Sequence, residues 1–162
     1  MTSKAPSDSR VEMTQIVLPA HTNRFGTVFG GTVMSWIDVC AAVSAMRHAG
    51  QLAVTASMDR VHFLSGARTG DIMVLQSQVN FTGRTSMEVG VRVEREDPIT
   101  GSRQHTASAY LTFVAVDEQG VPQAVPEVEP RTEEERRRFE KGAARKQARL
   151  EEKKDALRRA RQ

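Results

Sequence analysis

One segment constrains this chain more than any other. From Val33 to Met46, 11 of 14 residues are apolar, and only Ser35, Asp38 and Ser44 are not. Its length and its alanines (Ala41, Ala42, Ala45) favour a helix over a strand, and Gly50 is placed to end it. A helix that is apolar on nearly every side must be buried on nearly every side. The rest of the chain therefore has to wrap around it. Elsewhere the hydrophobic period is two, the period of strands. Val11 to Leu18 reads as a first strand, ended by Pro19. After the helix, Val54 to Phe63 and Ile72 to Phe81 read as strands, separated by a Gly70-Asp71 turn. Beyond Gly83-Arg84, Met87, Val89, Val91 and Val93 alternate with Glu88, Gly90, Arg92 and Glu94, which predicts a half-buried strand. Asp97-Pro98 and Thr100-Gly101 turn the chain into a last one, where Ala107, Ala109, Leu111, Phe113 and Ala115 alternate with more polar residues. Short turns between successive strands make an antiparallel meander. The predicted class is α+β: one long buried helix wrapped by a curved antiparallel sheet of about five strands. Such a sheet leaves edges and one face open, so dimerisation through the sheet is expected.

The ends read differently. Residues 1–9 contain Ser and Pro and are expected to be disordered. Residues 10–128 form the domain, and Pro122, Pro126 and Pro130 lead out of it. Residues 129–162 form a charged, helix-favouring tail, opened by a capping-box pair, Thr132 with Glu135. Its apolar stripe is thin (Phe139, Ala143, Leu150, Leu157), suited to a neighbouring subunit or to solvent. The overall charge of +3 resembles a nucleic-acid binder's, but its distribution argues against one. Residues 131–162 hold 13 basic and 7 acidic side chains, which leaves 10 basic and 13 acidic in residues 1–130. The domain is mildly acidic, and nucleic acid is not an expected partner. No apolar run approaches the roughly 18 residues of a membrane helix. Met1 to Val11 has no apolar core of a secretory signal. The single cysteine, Cys40, forms no intrachain disulfide, and a cytoplasmic location is expected.

Asp38 is the residue that asks for an explanation. A carboxylate amid apolar neighbours on a helix costs several kcal/mol unless it is partnered. It can be a structural acceptor, or a base or nucleophile in a pocket, and the residues alone leave both open. Gly30 and Gly31 precede the helix. Glycines there let a ligand approach the backbone, and free N–H groups of a helix start stabilise an oxyanion. A plain flexible turn reads the same way. His21 and Asn23 lie in the preceding loop, where such residues are commonly turn formers. Cys40 has no Cys or His at metal-ligand spacing, so no metal site is expected, and its apolar surroundings suit an inert thiol. No Gly-x-Ser-x-Gly elbow and no P-loop is present. His62 and His105 sit on strand patterns, as surface or rim residues.

The stretch HTNRFGTVFGGTVMSWID, residues 21–38, resembles the signature of hotdog-fold acyl-CoA thioesterases, the family of bacterial acyl-CoA hydrolases and the brain-type cytosolic long-chain hydrolase. Asn23, Gly26, Phe29-Gly30-Gly31, Val33-Met34 and Asp38 match its pattern. The likeness continues through RVHF (60–63), Gly70-Asp71, TGRTSMEV (82–89) and VPEV (125–128), over residues 10 to 145. The resemblance implies a hotdog fold and hydrolysis of acyl-CoA to a free acid and CoA. It implies Asn23 and Asp38 as the catalytic pair, the N–H near Gly31 as oxyanion donor, and Gly30 beside the CoA. It places Arg84, Thr85 and Ser86 along the CoA chain, with Arg84 on a phosphate. It further implies a homo-oligomer, at least a dimer and, as a trimer of dimers, a hexamer. No cofactor is required, since CoA belongs to the substrate. Two other readings remain: a non-catalytic acyl-CoA sensor, and an acyl-carrier hotdog dehydratase. The latter chemistry pairs a His with a carboxylate, and this helix carries no His before His48.

Overall fold

The computed structural model describes residues 2–161; Met1 and Gln162, the outer ends of the segments 1–9 and 129–162, lie outside the described residues. Five antiparallel strands form one sheet: β1 (Val11–Ile16), β2 (Ala53–Met58), β3 (Ile72–Thr82), β4 (Ser86–Glu96) and β5 (Arg103–Ala115), in the order β1-β3-β4-β5-β2. Helix α1 (Gly30–Ala49) joins the two edge strands and so has to cross the whole sheet. It ends where expected, at Gly50, in the left-handed conformation (φ 67°). The core lies between them. Ile37, Cys40, Ala41 and Ala45 of the helix meet Met73, Leu75, Val79, Met87, Val89, Leu111 and Phe113 of the strands. The small side chains Ala41 and Ala45 let the helix approach the sheet. Register shifts at Thr55/Ser57, Val79/Phe81 and Val93/Glu94 add the twist that curls the sheet around the helix. This is the hotdog arrangement.

In a single chain α1 is buried on the side of the sheet only. Met34 and Val39, on its other side, are 39% and 56% exposed. The strand expected over Val54 to Phe63 is shorter. It leaves the sheet at Met58, and the following loop turns back so that Ala67 accepts the Val28 N–H and Arg68 bridges Thr27.

The terminal segments depart further from expectation. Residues 2–9 were expected to be disordered, yet Ala5 and Ser9 are fully buried. Lys4 exchanges backbone hydrogen bonds with Glu127 and Glu129, and its ammonium donates to the carbonyls of Arg47 and His48 at the end of α1. The Ser9 hydroxyl accepts the N–H of Val79 at the β3 bulge. Polar composition suggested disorder, but here the polar groups satisfy backbone that the fold leaves unpaired.

The charged tail likewise packs on its own chain. Helix α2 (Glu133–Arg159) opens with the expected capping box of Thr132 and Glu135 and crosses the outer face of the sheet. Gly142 is buried there: a Cβ at this position would come within 2.9 Å of the Phe81 side chain and 3.1 Å of Glu88 Oε1. Phe139 stacks obliquely on Phe81, with ring centroids 5.0 Å apart. Glu88, expected on a half-exposed strand, has its side chain 1% exposed and paired with Arg145 (2.6 Å) and Arg149 (3.1 Å). From Glu151 onward the helix is exposed on all sides.

Candidate active site

The loop before α1 is folded by one side chain. Asn23 Oδ1 accepts the N–H groups of Phe25 (2.9 Å) and Thr27 (3.2 Å), while its backbone N–H donates to Thr27. Gly26 takes a positive φ of 71° within this turn, a conformation that suits glycine. The carbonyl side of the Asn23 amide is thus used to shape the loop. Its amino side makes no hydrogen bond among the described residues.

This loop delivers the chain to the start of α1. The Phe29 N–H is taken by His21, and Thr32 and Val33 donate to Phe29. The N–H groups of Gly30 and Gly31 have no acceptor among the described residues, and no side chain caps the helix. Space around Gly31 is open. A Cβ on Gly30, in contrast, would meet the Phe63 ring at 3.3 Å. Two free donors at the positive end of a helix can bind a developing oxyanion. Phe29, the residue before the helix, and Phe63, against Gly30, are half-exposed beside them.

Asp38 lies two turns further on, part-buried. Thr55 of β2 donates its hydroxyl to Asp38 Oδ1 at 2.7 Å. Oδ2 has no hydrogen-bond partner among the described residues, and no cation pairs with the carboxylate. Thr55 was not among the residues singled out from sequence. A Thr on a strand is an ordinary β-former, and only tertiary structure shows which face it takes.

The other expected contacts lie elsewhere. Arg84 sits in the β3–β4 turn, exposed, and Thr85 and Ser86 follow it. Met87 pairs with Phe113, which pairs in turn with Thr55, so this hairpin end is two strands from Thr55, about 10 Å at ordinary strand spacing. Ser86 faces the outer side of the sheet, toward Lys146 and Arg149. Within one chain, then, Asp38 and Thr55 come together, Asn23 shapes the turn that leads into the helix start at Gly30 and Gly31, and residues 84–86 stand apart.

Cys40 and His48 are structural. Burial pushes the Cys40 thiol up, more than its bond with Ser77 lowers it, which leaves it protonated and inert. His48 is wholly buried with Nε2 against the Pro126 carbonyl at 2.8 Å, and burial holds it below the ordinary imidazole range. Among the described residues no group of three His, Cys, Asp or Glu side chains could hold a metal ion, and no helix is long and apolar enough to cross a membrane.

The comparisons agree with this architecture. The thioesterase superfamily profile matches residues 25–102. An uncharacterised acyl-CoA thioester hydrolase of Bacillus subtilis is 48% identical over 128 residues, 79% of this chain and 74% of that protein. A hexameric acyl-CoA thioesterase solved in its apo form superposes with a TM-score of 0.90 at 49% identity, covering 94% of this chain and 97% of that one. The acyl-CoA hydrolase of Staphylococcus aureus, solved with butyryl coenzyme A, coenzyme A and coenzyme A disulfide, superposes with a TM-score of 0.87 at 39% identity over 99% of both chains. That enzyme has also been solved with an aspartate, an asparagine and a threonine each replaced by alanine. This chain belongs to the thioesterase superfamily, among its hotdog-fold acyl-CoA thioesterases.

Proposed function

We propose that this enzyme hydrolyses acyl-CoA to a free carboxylic acid and CoA at a site built from Asp38, Thr55, Asn23 and the start of α1. The observation that carries the reading is the Thr55–Asp38 bond. It fixes one carboxylate oxygen and leaves the other free, on the open side of an otherwise apolar helix. In this reading the thioester carbonyl accepts hydrogen bonds from the Gly31 and Gly30 N–H groups. One such donor typically contributes about 3 kcal/mol to the transition state. The free oxygen of Asp38 takes a proton from water as water attacks, or attacks the carbonyl itself to give an anhydride that water then opens. The Asn23 amino group orients the water or polarises the carbonyl. CoA leaves as the thiol after proton transfer. Hydrolysis on this route uses no metal or redox group. The three residue types replaced in the Staphylococcus aureus enzyme are those of Asn23, Asp38 and Thr55. The buried, neutral His48 ends ten residues beyond Asp38, about 15 Å along the helix, which disfavours a dehydratase. A sensor that binds acyl-CoA would release no thiol, a difference that a thiol reagent reads directly. A cytosolic place of action fits the free thiol, and residues 84–86 are assigned to the CoA chain of the bound substrate.

The site needs two chains. From Gly31 to Asp38 is seven residues of one straight helix, about 10 Å, yet both must reach one reacting group within about 3 Å. Two antiparallel helices across a two-fold axis place the start of one beside the middle of the other. The exposed Met34 and Val39 and the open edge strand β2 supply the surface for such a dimer. Three such dimers make a hexamer, the number of subunits in the hexameric relative. The test is to co-express Asn23→Ala and Asp38→Ala subunits, each inactive alone. About half of randomly paired dimers are mixed, and each has one intact site, so activity returns to about a quarter of wild type. Mixed dimers that recover nothing refute the shared site. Full activity in either variant alone refutes the residue assignment.

A further inference from the structure

On the far side of the sheet from Asp38, between the outer face and the first half of α2, lies a cavity of about 280 Å³ that the proposed hydrolysis does not use. Six cationic side chains line it: Arg10, Arg92, Arg137, Arg138, Lys141 and Arg145. No carboxylate among the described residues does. Three of the six are neutralised from outside the cavity, Arg92 by Glu94, Arg138 by Glu134 and Arg145 by Glu88. Arg10, Arg137 and Lys141 have no ion-pair partner among the described residues. Three unbalanced cations converging on one partly enclosed space repel one another, and a bound anion removes that cost.

The floor carries an independent sign of a ligand. Asn80 lines the cavity and is only 3% exposed, and its amide makes no hydrogen bond among the described residues: Oδ1 is sealed in, while Nδ2, beside the cavity-lining Gly90, is the free donor that an anion can take. It occupies the bulge where β3 shifts register against β4, so the strand irregularity directs a polar group there. Buried amides are nearly always satisfied, and one left open beside a polar cavity is expected to bind whatever enters. Gln78, also buried, adds a second amide. Arg145 covers one face of Tyr110, with its guanidinium carbon 3.7 Å from the ring centroid, so the aromatic wall is already occupied.

We infer that this cavity binds a compact anion with two or more linked phosphates, at a site separate from the thioester site. A chain of phosphates matches cations arriving from the sheet, the N-terminal segment and α2 at once. The volume lies at the small end of ligand pockets, roughly 300 to 1,000 Å³, too small for a whole dinucleotide-sized molecule. The phosphates can be free polyphosphate or the tail of a nucleoside diphosphate, whose base would then remain outside.

The test is calorimetric titration of the intact protein with tripolyphosphate, repeated with the Arg137→Ala/Lys141→Ala double variant. Both residues are exposed on α2 and outside the thioester site, so folding and basal turnover should be unchanged. The expected result is one tripolyphosphate per subunit, binding that weakens with salt, a rise in Tm, and at least about tenfold weaker binding by the variant. ADP that displaces tripolyphosphate from the wild type, and binds the double variant less well, assigns the site to a nucleotide tail. ADP without effect assigns it to free polyphosphate. Equal binding by wild type and variant overturns the inference, as does tripolyphosphate that competes with acyl-CoA. So does a wild type that binds no phosphate while the variant changes oligomeric state, which would make the cavity a contact between copies.

Discussion

The two faces of the sheet are covered by two helices in opposite ways. α1 meets the inner face with small apolar side chains, and its contact is a core. α2 meets the outer face with arginines over Glu88 and Asp59, plus one aromatic pair and one buried glycine. The inner contact is non-directional and insensitive to salt. The outer one depends on a carboxylate taken out of water, which is stable only while its partners remain. The contrast separates the proposed chemistry from anchoring: the carboxylate on α1, Asp38, is left half-paired, whereas the one under α2, Glu88, is fully paired.

Five experiments break or sharpen that division, and the first carries the largest effect. Asp38→Asn is nearly isosteric and removes the proposed base or nucleophile, so kcat should fall by about 10² to 10⁴ with Tm little changed. A folded variant with near wild-type kcat would move the chemistry off the inner face. Glu88→Ala should do the reverse, lowering stability by about 3 to 5 kcal/mol in denaturant unfolding because Arg145 and Arg149 lose their buried partner, while folded protein keeps its kcat. Truncation shows the same division along α2. Removing residues 151–162 should leave Tm within a few degrees, whereas removing 131–162 uncovers Phe81 and Glu88 and should cost several kcal/mol. Equal stability of the two truncations would show that the outer helix anchors nothing. Thr55→Val keeps the shape and frees the second oxygen of Asp38. Loss of a hydrogen bond to a charged group is about 1.5 to 3 kcal/mol, so kcat should drop about tenfold or more, with KM moving less. The smallest effect concerns His48. Burial lowers its pKa below the ordinary 6.5, so the folded state stays neutral where the unfolded chain takes up a proton. Stability is complete above about pH 6.5 and declines as pH falls below it. The drop in Tm from pH 7 to 5 should shrink in His48→Gln, and an unchanged drop would clear His48 of that role.

Much of the inner face was legible along the chain, and little of the outer. Asp38 stood out because a carboxylate inside a 14-residue apolar run has no local reason to be there. The strands declared themselves by period; the first was overrun by two residues, at Val17 and Leu18, and the one after α1 by five, because a loop that braces residues 27 and 28 looks as apolar as a strand. Glu88 read as solvent-facing because the helix that buries it arrives 57 residues later, at Arg145. Residues 2–9 read as disordered because composition does not reveal which unpaired backbone groups elsewhere await a partner, such as Val79. Thr55 was hidden by its own ordinariness. Pattern reports what a residue does to its neighbours in sequence. These misses are all pairings across long separations.

The bare start of α1 sets a limit on how far this enzyme can be hardened. A Ser or Asp in place of Phe29 would give the helix the cap it lacks, worth about 1 kcal/mol in a typical protein. Its side chain would then compete for the Gly31 N–H assigned to the thioester oxygen. A change that raises heat resistance and one that keeps turnover therefore pull that position in opposite directions.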